Sequence, residues 1–536
     1  MNKKQFLFFL LLSFILFILQ SCRMNSNEKS NSKKETVIPV FSEQPLTVCI
    51  KKGETASFSC KADAENEVVY YKWFKTNEDG SEKTPICNTW TESSTFQTDA
   101  FNEKGIYYYV CAASTVTNED DLSNAVFSNI VAAFYSDLPI VVINTVNNEE
   151  PTADYVAPEN FGGSYGAGLR NHTKPGARLQ IVKPNDNTVI YDSGEYIKKE
   201  SGLTIKLRGN TSAYADKKPY KIKLQKKADL LADLVGRSDS KYKDKEWVLL
   251  KDGVTLNTFV GLAVSDIAGM TWTPDFAYVN LVMNGEYRGI YMLVEAISQS
   301  KMRIDVSDEG FIIERDAYWW NEDVRFITDS NQKFTFKYPD EEDILQEQIT
   351  FITDYMNSVE THIKAGTYEN YIDTDSFAKW QLIHDILGSW DAFGSNIYMS
   401  KNDSTSEEFP DENGSWSKIY METPWDFDSN YMMKNSWSNI HHQDRCYSHL
   451  LFTNTNTSFI DSYKAQWNNI SNSIWQDLQS SLNNLQTIFG DDINISRSGD
   501  ALKWETKNAS IENDIEKAEE WFTSRKIWLD DAIGGL

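Results

Sequence analysis

Apolar and polar positions alternate between a few distinct patterns along the chain. Phe6 to Leu19 is almost wholly apolar, follows Lys3 and Lys4, and is too short for a comfortable membrane span. Residues 24–36 are polar with no large apolar periodicity, which predicts a flexible tether. Short alternating runs then predict strands at Ala56–Cys60, Val68–Phe74 and Tyr107–Cys111. A new apolar strand begins at Leu138–Asn144.

The alternation sharpens after residue 200. Leu203–Arg208 and Lys217–Leu224 alternate on either side of the turn Gly209-Asn210-Thr211-Ser212, which predicts a hairpin with Arg208, Lys218 and Lys221 on its loop and rims. Leu256–Met270 has helical spacing, with Val260, Val264, Ile267 and Met270 on one side. A second hairpin follows, Ala277–Met283 and Tyr287–Glu295 about Asn284-Gly285-Glu286, because Asn-Gly favours the tight hairpin turn. Residues 376–390 read as a helix, 396–400 and 416–421 as strands, and 453–489 and 511–529 as closing helices.

Composition narrows the class. A chain of 536 residues exceeds one ordinary domain. With 41% hydrophobic residues, including 16 Trp, 26 Tyr and 28 Phe, it has ample material for large cores, which excludes global disorder. The net charge of −26 disfavours nucleic acid, whose binding depends on Lys and Arg neutralising phosphate, and otherwise serves solubility.

The start of the chain has the layout of a secretory signal, and Leu19-Gln20-Ser21-Cys22 resembles a bacterial lipobox in which Cys22 becomes the lipidated first residue. The expectation is a signal peptide over 1–22, a tether over 23–37, and an exported, membrane-anchored protein of the cell envelope or surface. Outside the cytoplasm disulfides persist. Cys60, Trp73, Tyr109 and Cys111 occur in the order that resembles the immunoglobulin fold, over about residues 38–135. That resemblance implies an all-β sandwich with Cys60 bridged to Cys111, Trp73 packed on the bridge, and the Tyr109 hydroxyl tying a corner. Cys49 and Cys87 remain open as a second pair, and Cys446 is left over. Such a module serves as a spacer or as a binding arm.

Candidate chemistry clusters in the second unit, residues 138–536. Gly-rich loops wrap phosphates through backbone N–H groups. The stretch 160–168 is Gly-rich but lacks a Walker pattern, which favours a plain loop. The helix before position 391 leads into Asp391-Ala392-Phe393-Gly394-Ser395-Asn396, the Asp-x₄-Asn spacing of kinase catalytic loops. After the returning strand comes Pro424-Trp425-Asp426-Phe427-Asp428, where a kinase supplies a metal-binding Asp. Asp385 is a second acid on the preceding helix, without an Asn at the right distance. His441, His442, Cys446 and His449 cluster, but their spacing fits no standard zinc finger.

Taken together, Leu207–Ser212, Lys217–Lys223, Trp247–Leu250, Asn284–Tyr291, Leu293–Glu295, Asp391 with Asn396–Tyr398, and Pro424–Asp428 resemble the CotH kinase family in the family's order, over roughly 138–535. The resemblance implies an α+β atypical protein-kinase-like domain with a small β-rich lobe and a larger helical lobe. It implies a surface enzyme that uses ATP with Mg²⁺ or Mn²⁺ to phosphorylate Ser or Thr of partner proteins or of itself. Carried over by motif, Asp391 is the catalytic acid, and Asn396, Asp426 and Asp428 are metal ligands. Arg208, Lys218 and Lys221 are phosphate contacts of undecided order, and Glu295 lies at an adenine-side hinge. One departure is Leu256-Asn257-Thr258, where the family carries Leu-Arg-Asn. The competing expectation is a catalytically silent scaffold or adhesin that binds through the immunoglobulin-like and kinase-like units.

Overall fold

The computed structural model describes residues 36–118, 121–156, 168–389, 395–404, 418–429, 438 and 446–536. Cys22, the tether up to position 35, the Gly-rich stretch to position 167, Asp391, and His441 and His442 lie outside the described residues.

The first module is all β. Ser57–Ser59 pairs antiparallel with Thr95–Gln97. A larger layer runs from Val48–Cys49 through Val131–Tyr135, Gly105–Ser114 and Tyr70–Thr76 to Lys83–Pro85, with its first pair parallel. Alternate residues face inward, so Phe58, Cys60, Trp73, Tyr109 and Cys111 share one buried core. The Phe58 and Trp73 rings stack with centroids 5.8 Å apart. Cys60 and Cys111 are unbonded thiols in hydrogen-bonding contact. One expectation, that of the Tyr109 hydroxyl, is met differently, and the open question of Cys49 and Cys87 is answered. The hydroxyl that bridges strands belongs to Tyr71, which accepts from the Ala62 N–H at 3.0 Å, while the Tyr109 ring packs against Phe58 and Phe96. Cys49 and Cys87 lie at opposite edges of the larger layer, four strand spacings apart and so beyond disulfide reach.

The second unit opens with a barrel. Its strands are β1 (Ile140–Thr145), β2 (Gly176–Lys183), β3 (Thr188–Asp192), β4 (Leu203–Leu207), β5 (Tyr220–Ala228), β6 (Asp244–Leu250), β7 (Phe276–Met283) and β8 (Glu286–Glu295). The hydrogen-bonded order is β1-β7-β8-β6-β5-β4-β2-β3, and β1 also pairs with β2. That extra pairing closes a ring and leaves β3 as a flap on β2. Period-two alternation sends Val141, Leu179, Ile205, Ile222, Trp247, Leu281 and Leu293 into one interior core. Asn284 and Gly285 both have positive φ, as the tight turn between β7 and β8 requires. The outer faces of β6 and β8, through Val248, Leu250, Met292 and Val294, join a second core. Helix α1 (Asn257–Ile267) lies in that core.

A second sheet follows: β9 (Phe311–Arg315), β10 (Arg325–Ile327), β11 (Lys333–Tyr338), β12 (Ile397–Lys401) and β13 (Tyr420–Met421), in the order β10-β11-β9-β12-β13. Helices α2 (Gln346–Ala365), α3 (Thr374–Leu387), α4 (Ser458–Ile470), α5 (Ile474–Trp504) and α6 (Ile511–Gly534) pack around it. The Asp373 side chain caps α3 by accepting from the Ser376 N–H, and Gly388 in the left-handed region ends it. Helix α5 runs well past the expected limit at position 489. It is tied to the barrel by Lys217, whose Nζ lies 2.5 Å from Asp500 Oδ2 and 2.7 Å from the Ile290 carbonyl. The same helix meets the first module, where Ser136 Oγ and Ser496 Oγ are 3.0 Å apart and Lys104 pairs with Asp492 at 3.1 Å.

Candidate active site

Two segments distant in sequence meet at the open side of the second sheet. Helix α3 leads through residues outside the described set to Ser395 and Asn396, which enter β12. The strand β13 returns antiparallel to β12 and delivers Asp426. Asn396 Nδ2 donates to Asp426 Oδ2 at 3.0 Å. Both residues hold left-handed backbone, with φ of +62° and +65°. Such conformations are uncommon outside glycine and persist where the surroundings impose them, often at functional sites.

The surroundings are specific. The Asn396 N–H donates to Glu314 Oε1 on β9 at 3.1 Å, and Glu314 Oε2 pairs with Lys337 on β11 at 2.7 Å. Just past the end of β9, Asp316 accepts from the Tyr318 N–H at 2.8 Å and the Ser395 hydroxyl at 3.4 Å. Burial, reinforced by Glu314, pushes the Asp316 carboxyl up to about 7. Burial works to lower Lys337, but Glu314 reverses this and holds its ammonium charged. On the other side, Phe427 packs against Gly261 of α1, and Asn257 Nδ2 donates to the Asp428 carbonyl at 3.0 Å. The departure at Asn257 therefore sits directly behind the Asp-Phe-Asp segment. The Asp428 side chain is exposed.

The basic residues divide into two groups. Arg208 and Asp426 line a small cavity with Asp252, Thr258 and Trp425, and the Arg208 guanidinium lies 5.6 Å from the Trp425 ring centre. Lys206 and Lys221 are register partners on the outer face of β4 and β5, with Lys223 beside them. Lys221 pairs with Glu246 at 2.6 Å. Burial, aided by Lys221 and Lys174, pulls the Lys206 amine down to about 8. This barrel face is linked to the second sheet by Lys223, which reaches Asp340 at 3.6 Å, and by the hydroxyls of Thr211 and Tyr318 at 3.3 Å.

Three candidates are placed differently from the sequence expectation. Lys218 donates to the Ala213 carbonyl at 2.8 Å and so braces its own hairpin turn. Glu295 is buried, with Arg237 at 2.8 Å, the Trp272 indole at 3.2 Å and the Asp275 N–H at 3.1 Å; it is a structural anchor rather than an open hinge group. Asp385 is buried under the Tyr463 hydroxyl at 2.9 Å and the Gln381 amide at 2.8 Å, which removes it as an alternative acid. Asp391 lies outside the described residues. Sequence reading missed Lys206, Glu246, Glu314, Asp316 and Lys337. The three charged residues Glu314, Arg315 and Asp316, directly after the apolar Phe311-Ile312-Ile313, were the available signal.

The Asn396 amide and Asp426 carboxylate are the oxygen donors that hard divalent cations take. Among the described residues no group of three or more His, Cys, Asp or Glu is disposed around a metal.

Among known proteins, no curated protein matches the chain. Solved structures that do match include chimeric titin Z1Z2, at 19% identity over 19% of this chain and 95% of that one, with a TM-score of 0.15. The four N-terminal Ig domains of Dscam1 isoform 4.44 match at 16% identity over 35% of this chain and 43% of that one, also with a TM-score of 0.15. The chain thus spans less than half of the Dscam1 fragment, and scores this low bear on no element described above. Residues 205–529, more than half the chain, match the family model described as CotH kinase protein. The chain belongs to the CotH kinase protein family.

Proposed function

We propose that this protein is an exported ATP-dependent phosphotransferase that acts on Ser or Thr of surface proteins or on itself. The observation that carries the reading is the 3.0 Å contact between Asn396 and Asp426, which joins the Asp-x₄-Asn spacing to the Asp-Phe-Asp segment at one point. In this reading the barrel and α1 act as the small lobe, and the second sheet with its helices acts as the large one.

A divalent cation, Mg²⁺ or Mn²⁺, would supply charge neutralisation across the nucleotide phosphates. Asn396 and Asp426 would hold it. Asp391 orients the acceptor hydroxyl and takes its proton. Arg208, beside Asp426, offsets charge that builds on the transferring group. Lys206 and Lys221 face the nucleotide from the barrel. The lowered Lys206 amine supports this role, because buried cations crowded on one face gain most from an arriving anion. Little covalent chemistry is asked of the chain; it positions groups and fixes charges.

Lipidation at Cys22 anchors the chain, residues 23–37 tether it, and the first module is an immunoglobulin-like arm whose Cys60–Cys111 bridge closes on export.

The test uses residues 37–536 with ATP and Mg²⁺ or Mn²⁺, read by intact mass. Phosphate additions that vanish in Asp391→Asn and Asp426→Asn are expected. A chain that neither binds nucleotide nor gains phosphate would sink the enzyme and leave the scaffold.

A further inference from the structure

We infer that Glu314 is the positioning residue for Asn396, with Lys337 as its counter-ion. The inference rests on the phosphotransfer reading and adds to it a residue that no sequence motif marks.

Asn396 sits at the entry to β12 with φ of +62°, a conformation that relaxes unless something holds it. Three contacts hold it. Its side chain donates to Asp426 at 3.0 Å, its N–H donates to Glu314 Oε1 at 3.1 Å, and Ile397 is locked opposite Arg315 in the sheet. The sheet pairing constrains only the residue after Asn396. The Asp426 contact is one that a bound cation would compete with. Glu314 is therefore the contact that fixes the Asn396 backbone whether or not the cation is present.

Glu314 is itself over-determined. It is buried, it projects from the central strand of the sheet, and its second oxygen is held at 2.7 Å by Lys337. Lys337 occupies the second oxygen, and the donor that meets the first is the Asn396 N–H. Asp316 repeats the device one step on, through Ser395. β9 and the residue just past its end thus grip the two residues that precede β12, and Glu314 aims the Asn396 amide at Asp426. An outer residue of this kind tunes a metal site through its ligand, and losing it costs roughly 10–100-fold in metal affinity.

The experiment measures ATP binding to residues 37–536 by calorimetry, with and without Mn²⁺. The readout is the metal-dependent gain in affinity, which a merely structural residue would not move selectively. Glu314→Ala is expected to reduce that gain by about tenfold while metal-free ATP binding stays within about twofold. Glu314→Gln keeps an acceptor oxygen and the side chain's shape, so it is expected to retain the gain within about twofold and to report even if the alanine variant does not fold. In an Asn396→Ala background, Glu314→Ala is expected to cost nothing further, because paired residues are non-additive. Equal losses with and without Mn²⁺, a full loss in Glu314→Gln, or additive losses in the double variant would overturn the inference. A parent chain with no metal-dependent gain would overturn the phosphotransfer reading and this inference with it. A parent gain that Glu314→Ala keeps intact would overturn the inference alone.

Discussion

The Phe427 ring occupies the space that any side chain at Gly261 would need. A Cβ at Gly261 would fall well inside the van der Waals radius of that ring. Helix α1 and the Asp426-Phe427-Asp428 segment are therefore fitted to each other through the absence of one methyl group. Gly261→Ala is expected to push Phe427 outward and Asp426 with it, at a cost of about 1–3 kcal/mol in stability. Phosphate transfer should fall further than in a variant equally destabilised elsewhere. Denaturant unfolding together with intact mass decides this, and transfer that simply tracks stability would refute it.

Asp426 holds a backbone conformation that suits glycine better. Asp426→Gly relieves that strain but gives up the contact from Asn396, and the two effects offset. Thermal unfolding should place the variant within about 1 kcal/mol of the parent. Phosphate transfer should vanish. A large loss of stability would mean that Asp426 is a structural residue.

The buried Lys217–Asp500 pair joins the barrel to α5. Asp500→Leu strands the Lys217 ammonium, which lies 2.7 Å from a carbonyl but loses its counter-charge. Breaking one side of a buried pair costs about 3–5 kcal/mol, whereas replacing both with apolar groups is often near neutral. The single variant should therefore be much less stable than Lys217→Met/Asp500→Leu in urea titrations. Equal stability of the two would show that the charge was never stranded.

Glu422 supplies a pH signature. It is enclosed at the end of the second sheet, with Ser400 Oγ donating to it at 2.5 Å, and burial pushes its carboxyl from 4.5 up to about 7. The folded chain keeps a proton there that the unfolded chain gives up. Its contribution is whole below the unfolded pKa and is lost as pH rises through the folded one. Stability should fall between about pH 5 and pH 7 for this group, and Glu422→Gln should flatten that fall. At pH 8 the variant should be more stable by about 1–3 kcal/mol. Denaturation of both chains across that range is the measurement, and parallel curves would count against it.

Cys60 and Cys111 are thiols in contact within the core of the first module. Oxidation should join them without repacking Trp73. The oxidised chain should be more stable than the reduced one by about 2–4 kcal/mol, and Cys60→Ala/Cys111→Ala should ignore reductant. Denaturant unfolding with and without reductant reads both effects.

Local pattern carried much of this molecule. Alternation and the Asn284-Gly285 turn announced the hairpins, because strand faces and tight turns depend on neighbours a few residues away. Family motifs pointed to Asn396 and Asp426. They could not say that Lys218 would brace its own turn or that Glu295 would be sealed beneath Arg237, because exposure is settled by what packs on top. Nor could they mark Glu314 and Lys337, whose function exists only through the pairing of β9 with β11 and β12. The closed barrel and the Lys217–Asp500 tie likewise depend on segments far apart in the chain, 140 positions for Ile140 and Asn280 and 283 for Lys217 and Asp500. The sequence by itself determined which residues alternate, turn and carry charge. Only the tertiary structure decided which charges meet, because a carboxylate's role is set by the donors within about 3 Å of it, and those come from anywhere in the chain.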